Sequence, residues 1–219
     1  MNAIDVELLN PDLSVPCDIV LLPDDSQSVA SLQCSQSLAS QGSIFTLDNE
    51  HFYAHASLYM FQMSIDKQAT CIDMLKELAD KFNTLELVQN GYYYQDSGFG
   101  KGYVDINFFR NANVDHLQQK VVEAFTVLKA GMRQSDIDKM SDATGLKLEN
   151  LKKYGYPAIG ELFRPHITLT KFSPEVEPDL TVLPAPTMFT GKFTRIGLFE
   201  MSANGTCTRK IAEFKLSAQ

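Results

Sequence analysis

Two periods of apolar residues alternate along the chain. "CDIVLLP" (17–23) is a short apolar run that ends in a proline turn and reads as a strand. From 26 to 42, Val29, Leu32 and Leu38 recur near helical spacing and Gly42 supplies a stop. "SIFTLD" (43–48) and "HFYAHASLYMFQM" (51–63) are strand-like, with "DNE" as the turn between them. Over 64–82, Ala69, Ile72, Leu75, Leu78, Ala79 and Phe82 line one face of an amphipathic helix, which Ser64 or Asp66 can cap. "TLELVQNGYYYQ" (84–95) and "GYVDINFFR" (102–110) make a hairpin-like pair around the glycine-rich "DSGFGKG". A second helix over 113–132 is carried by Leu117, Val121, Phe125 and Leu128. Residues from about 131 to 155 look helical but broken, with Ser135 and Asp138 as a capping box and Gly155 as a stop. "RPHITLTKF" (164–172) is a strand, a connector runs from Pro174 to Pro186, and 189–202 with 206–216 read as a closing hairpin. This order predicts an α+β fold of antiparallel strands with helices packed on one face.

Composition narrows the classes. The 219 residues are 44% hydrophobic and 21% charged, enough to bury a core in one large domain or two intimate lobes. No apolar run approaches the roughly 18 residues of a membrane span. The N-terminal stretch lacks the basic region and apolar core of a signal peptide. The net charge of -8 argues against a binder of long nucleic acid such as a DNA duplex, yet leaves room for a small phosphorylated ligand. Cys17, Cys34, Cys71 and Cys207 form no C-x-x-C and read as buried thiols of a reducing compartment, so a cytoplasmic protein is expected. "GFGKG" (98–102) lacks the order of a Walker loop and reads as a flexible turn.

The candidate chemistry lies in two strands. In "YAHASLYM" (53–60), strict alternation puts Tyr53, His55, Ser57 and Tyr59 on one side. In "RPHITLTK" (164–171), it puts Arg164, His166, Thr168 and Thr170 together, with Ile167 and Leu169 opposite. Each strand thus has an apolar back and a front carrying a histidine followed, one pleat repeat on, by a hydroxyl. His51 and His116 lack this pattern. Two imidazoles facing one cleft can divide proton traffic, since their ordinary pKa lies near neutrality. Ser57 and Thr168 can donate to phosphoryl oxygens between them. Arg164 is the best cationic candidate for a phosphate; Lys171 has the wrong parity. Tyr53 and Tyr59 can stack on a base or ribose or pack the cleft floor. No metal is required, and no carboxylate or cysteine accompanies either histidine at ligand spacing, a poor set for zinc.

The paired motifs "HASL" (55–58) and "HITL" (166–169), with "PHITL" and the closing "IGLFEMSANGTCTRKIAEFKL", resemble the 2H phosphoesterase superfamily, which includes 2'-5' RNA ligase and cyclic phosphodiesterase-like proteins. The resemblance runs from about Cys17 onward. It implies a single bilobal domain over 1–219: two pseudo-symmetric lobes of antiparallel sheet, helices on the outer face, and a central cleft between them. The motifs stand 111 residues apart, long for the family, and a helical insertion around 115–155 accounts for the extra length. The implied activity is a metal-independent and cofactor-free phosphodiesterase acting on a small nucleotide or RNA-end substrate, a 2',3'-cyclic phosphate or a 2'-5' linkage. His55 and His166 would be its acid and base, in either order. The alternatives are a non-catalytic nucleotide-binding or interaction module on the same scaffold, and an RNA end ligase. Oligomeric state is not legible.

Overall fold

The computed structural model describes residues 14–186 and 190–218, apart from the Phe99 side chain. β1 (Ser14–Pro23) is buried at every position from Cys17 to Pro23. Such a strand must lie inside the sheet with both faces covered. It pairs antiparallel with β2 (Ala56–Ser64) on one side and β7 (Gly191–Met201) on the other. β7 continues to β3 (Leu85–Leu87) and to β8 (Cys207–Lys215). β6 (His166–Lys171) pairs with β5 (Tyr103–Phe108), which pairs with β4 (Gln89–Tyr94). The result is one eight-stranded antiparallel sheet in the order β3-β7-β1-β2-β6-β5-β4, with β8 on β7. Its two halves meet through a single residue pair, Ala56 opposite Ile167.

Three helices cover the back of this sheet. α1 (Asp25–Ala39) begins where the Asp24 carboxylate accepts the Gln27 N–H at 2.8 Å, the usual role of an aspartate at that position. α2 (Gln68–Lys81) turns Cys71, Leu75, Leu78 and Ala79 inward. α3 (Ala112–Phe125) is capped by the Asn111 side chain and buries Val114, Leu117, Val121 and Phe125. The packing is crossed. α1 lies on β6 as well as β1, α3 lies on β2, and α2 lies on β7 and β8. One apolar core runs between helices and sheet and includes Ile19, Leu21, Leu58, Phe61, Ile106, Ile167 and Leu169.

Several segments depart from the simple pattern. Residues 43–48 form no strand, although Phe45 and Leu47 are buried. They run beside β6 with individual bonds in place of a ladder: Ile44 N–H to the Lys171 carbonyl, Leu47 N–H to Ser35 Oγ, and the Thr170 hydroxyl to the Phe45 carbonyl. The stretch 84–95 splits into β3 and β4 at the exposed Val88. The second strong helix stops at Phe125 and is followed by a tight turn, then α4 (Gln134–Asp138) and α5 (Gly145–Tyr154). Arg133, not Ser135, precedes α4, so the expected capping box is not formed. α5 does end at Gly155, whose left-handed φ of 73° suits glycine. All four cysteines are free and buried. Among the described residues, no helix is long and apolar enough to cross a membrane.

The halves also share a defect. Along β1, Ile19 faces Tyr59 but Val20 faces Ser57, so β2 carries one extra residue, Leu58. Along β5, Val104 faces Thr170 but Asp105 faces Thr168, so β6 carries one extra residue, Leu169. A bulge of this kind leaves a residue unpaired and reverses the alternation beyond it. Each bulged carbonyl finds a helix side chain. Leu169 accepts from Ser35 Oγ of α1 at 2.7 Å, and Leu58 accepts from Gln118 Nε2 of α3 at 3.4 Å.

Candidate active site at the seam of the sheet

The Ala56–Ile167 pair fixes where the two motifs meet. Both residues are buried in the core, so their neighbours His55, Ser57, His166 and Thr168 turn to the opposite face of the sheet. The two histidines are held alike. His55 Nδ1 lies 2.7 Å from the Tyr53 carbonyl, and His166 Nδ1 lies 2.6 Å from the Arg164 carbonyl. A carbonyl only accepts, so each Nδ1 carries the proton and each Nε2 keeps its lone pair for the site. Burial drives His55 down to about 4, against the pull of the Tyr53 carbonyl and with the His166 imidazole adding to the effect. Burial also lowers His166, where the Asp105 charge opposes the shift and Arg164 favours it. Both imidazoles are therefore neutral at neutral pH, the form that can accept a proton.

The hydroxyls are matched too. Ser57 Oγ donates to Asp18 Oδ2 at 2.6 Å, and Thr168 Oγ1 donates to Asp105 Oδ1 at 2.8 Å. Asp18 lies on β1 and Asp105 on β5, so the two halves repeat a strand, a helix and a histidine strand in the same order. The environments of the two carboxyls differ. Asp105 is paired with Arg164 Nη2 at 2.7 Å, while Arg164 also donates to Asn107 and lies 5.1 Å from the centre of the Tyr93 ring. Among the described residues, Asp18 has no such partner. Burial pushes it up to about 8, although the Ser57 bond and the Arg133 charge pull it back. It is therefore a neutral acid near pH 7. As a neutral acid it can hand its hydrogen to Ser57 and free the serine hydroxyl to donate outward.

The remaining expected residues divide. Arg164 stands beside His166, as expected from parity. Tyr53 packs on Phe199 with ring centres 5.0 Å apart and borders a hollow of about 300 Å³ lined also by Leu22, Asn49 and Arg195. Tyr59 is not on this face. It is fully buried, stacked on Phe61, and its hydroxyl donates to the Tyr154 carbonyl at 2.7 Å. Thr170 is likewise buried on the far side. Both were placed by strict alternation, and the bulges at Leu58 and Leu169 reverse it. The same reversal brings Lys171 level with Tyr103, its ammonium 4.8 Å from the ring centre.

The same architecture appears in solved structures. TT0787 of Thermus thermophilus superposes with a TM-score of 0.57 at 14% identity, over 93% of this chain and 99% of that one. The fold is that of TT0787. E. coli LigT complexed with ATP gives 0.49 at 12% identity, over 94% of this chain and 99% of LigT. A structure described as a phosphoesterase gives 0.45 at 12% identity, over 93% and 98%. A family model described as "Protein of unknown function (DUF1045)" matches residues 107–192, less than half of the chain. No curated protein matches this sequence.

Sequence reasoning missed Asp18, Asp105, Asn107, Arg133 and Cys207. Arg133 belongs to the connection between α3 and β6. Its guanidinium is buried, bonded to Asp136, and directs Nη1 at Met60 Sδ (3.0 Å) and Met201 Sδ (3.3 Å). Asp18 and Asp105 each interrupt an apolar strand, which is the signal available for them, since buried carboxylates are rare without a task. Cys207 carries no local signal. The expectation that no carboxylate or cysteine accompanies a histidine holds for spacing along the chain but not in space. One ligand atom each from Asp18, His55 and Cys207 lie within 4.8 Å of one another.

Proposed function

We propose that the chain is a metal-independent phosphodiesterase of the 2H type, acting on a small nucleotide or an RNA-end phosphodiester such as a 2',3'-cyclic phosphate or a 2'-5' linkage. The observation that carries this reading is the pair of matched histidines at the seam, each with Nδ1 tied to the carbonyl two residues before it and Nε2 left free. One Nε2 takes a proton from the attacking water or hydroxyl. The other acts in the fraction of molecules in which it has taken a proton from solvent, and gives that proton to the leaving oxygen, after which the first histidine releases its proton to solvent. Arg164, set beside His166, supplies positive charge to the phosphoryl oxygens, and Ser57 and Thr168 orient on them. Tyr53, two residues before His55, is read as the ring that stacks on a base or ribose. We read 1–219 as one bilobal domain with a helical insertion around 115–155. Within it, α3 packs on β2 as α1 packs on β6.

The test is an assay of 2',3'-cyclic nucleotides and 2'-5' oligonucleotides for phosphomonoester release in the presence of chelator. His55→Ala and His166→Ala should each remove nearly all turnover while leaving the circular dichroism spectrum unchanged. Full activity in either variant defeats the two-histidine mechanism. Nucleotide binding without turnover in the unaltered chain favours a binding module instead.

A further inference from the structure

Asp18, His55 and Cys207 come from three places far apart in sequence, β1, the entry to β2 and the start of β8. They are all buried, and a carboxylate oxygen, an imidazole nitrogen and the thiol sulfur lie within 4.8 Å of one another. Such a mixed oxygen, nitrogen and sulfur set suits zinc and ions like it.

The surroundings are those of a built site. His55 bonds through Nδ1 to the Tyr53 carbonyl, which leaves Nε2 as its donor atom, 3.9 Å from Asp18 Oδ2. Histidines that bind metals are oriented this way. Asp18 is oriented in turn by Ser57 through Oδ2, while its Oδ1 is buried with no hydrogen-bond partner among the described residues. A buried carboxylate oxygen left unpaired is costly, and a cation is one way to meet it. The backbone holds the trio together. Tyr53 N–H donates to the Cys207 carbonyl at 3.2 Å, and β8 reaches β1 through β7. The other half of the sheet is an internal control. Asp105 is already neutralised by Arg164, and among the described residues no comparable cluster forms around His166.

We propose that Asp18, His55 and Cys207 form a binding site for a zinc-class divalent cation, and that filling it switches off the two-histidine centre. Binding requires two protons to leave to solvent, one from the Cys207 thiol as the sulfur coordinates and one from the Asp18 carboxyl as its oxygen coordinates. The three side chains leave a fourth tetrahedral position for water. The imidazole lone pair that coordinates the ion is the one that would accept a proton in catalysis, so His55 cannot do both. The switching half rests on the catalytic reading above; the binding half does not.

Two measurements separate them. The full chain, stripped with chelator and dialysed, is titrated with Co²⁺. It should bind one equivalent and show a near-ultraviolet thiolate-to-cobalt band that Zn²⁺ displaces. Cys207→Ser should abolish the band, and Asp18→Asn should weaken binding by at least about tenfold. Cys17→Ser should keep both, because Cys17 belongs to the core beneath the sheet. No band in the unaltered chain, or a band that survives Cys207→Ser, overturns the site. In the second measurement, Zn²⁺ should suppress phosphodiester turnover and chelator restore it, with Cys207→Ser much less sensitive relative to its own zinc-free rate. A cobalt band together with unchanged or increased turnover in Zn²⁺ overturns the switch. A band in a chain that turns over no phosphodiester defeats the catalytic reading, and the switch with it, and leaves the metal site standing.

Discussion

Removing the Asp136 carboxylate should be among the most damaging single changes outside the main core. Asp136 is fully buried and accepts from Arg133 Nε at 2.7 Å and from Lys139 Nζ at 2.9 Å. Lys139 is partly exposed and can turn to water. Arg133 is only 7% exposed, and its other close partners are two thioether sulfurs, which are weak acceptors. Asp136→Ala therefore strands a guanidinium against Met60, Met201 and the Tyr156 ring, 5.6 Å away. Breaking a buried pair from one side costs about 3–5 kcal/mol. At roughly 2–4 °C per kcal/mol for a chain of this size, the midpoint of thermal unfolding should fall by on the order of 10 °C. Replacing both partners, Arg133→Met with Asp136→Leu, should recover most of the loss, since apolar pairs of similar volume substitute well for buried ion pairs. Urea denaturation followed by circular dichroism measures all three proteins. A loss below about 1 kcal/mol for Asp136→Ala, or a double variant no better than the single, would refute the claim that this pair docks the α3–β6 connection onto the sheet.

Further outcomes follow from other sites. Gly102 has φ +97°, and a Cβ there would stand 2.2 Å from the Phe172 carbonyl oxygen, so Gly102→Ala should cost roughly 1–3 kcal/mol or more and lower the melting midpoint by several degrees. For Asp48 the upward push from burial is the largest single contribution, but it is outweighed by the sum of the N–H groups of Phe52, Glu50 and His51 and the His51 side chain, which hold its carboxyl well below the ordinary range. Its stabilising effect is present above the unfolded carboxylate pKa and is lost as pH falls, so Asp48→Asn should flatten the acid limb of a stability-versus-pH curve; an unchanged limb counts against this loop anchor. With chelator present, the acid limb of kcat/KM should fall below the ordinary histidine value of 6.5, because burial lowers both imidazoles, His55 with a further push from His166 and His166 with Arg164 and Asp105 in opposition. An acid limb above that value would mean that some other group governs the rate.

The histidines and their hydroxyls were legible because the H-x-[ST] spacing spans a single pleat repeat, and nothing disturbs the strand within it. Beyond it, parity failed. Tyr59 and Thr170 sit past bulges that depend on pairing with β1 and β5 and on caps from Gln118 and Ser35. Residues 43–48 have the composition of a strand, yet their N–H and carbonyl groups are met one at a time by Ser35, Thr170 and the end of β6. The pairing of the carboxylates with the hydroxyls was invisible for a related reason. Asp18 precedes Ser57 by 39 residues and Asp105 precedes Thr168 by 63, and only the register of neighbouring strands joins them. The order of strands and helices was readable because it rests on local periodicity; the site rests on contacts that no local window contains.

The crossed caps on the two bulges have a consequence for how such a chain can be divided. The first half of the sequence supplies Ser35 to hold the strand of His166, and the second supplies Gln118 to hold the strand of His55. A cut in the loop between β4 and β5 would give two fragments of comparable outline. Each would contain one complete motif and lack the donor that shapes it. The repeat visible in the chain is therefore not a tandem of independent modules. It is a mutual clasp, in which each half finishes the other's histidine strand.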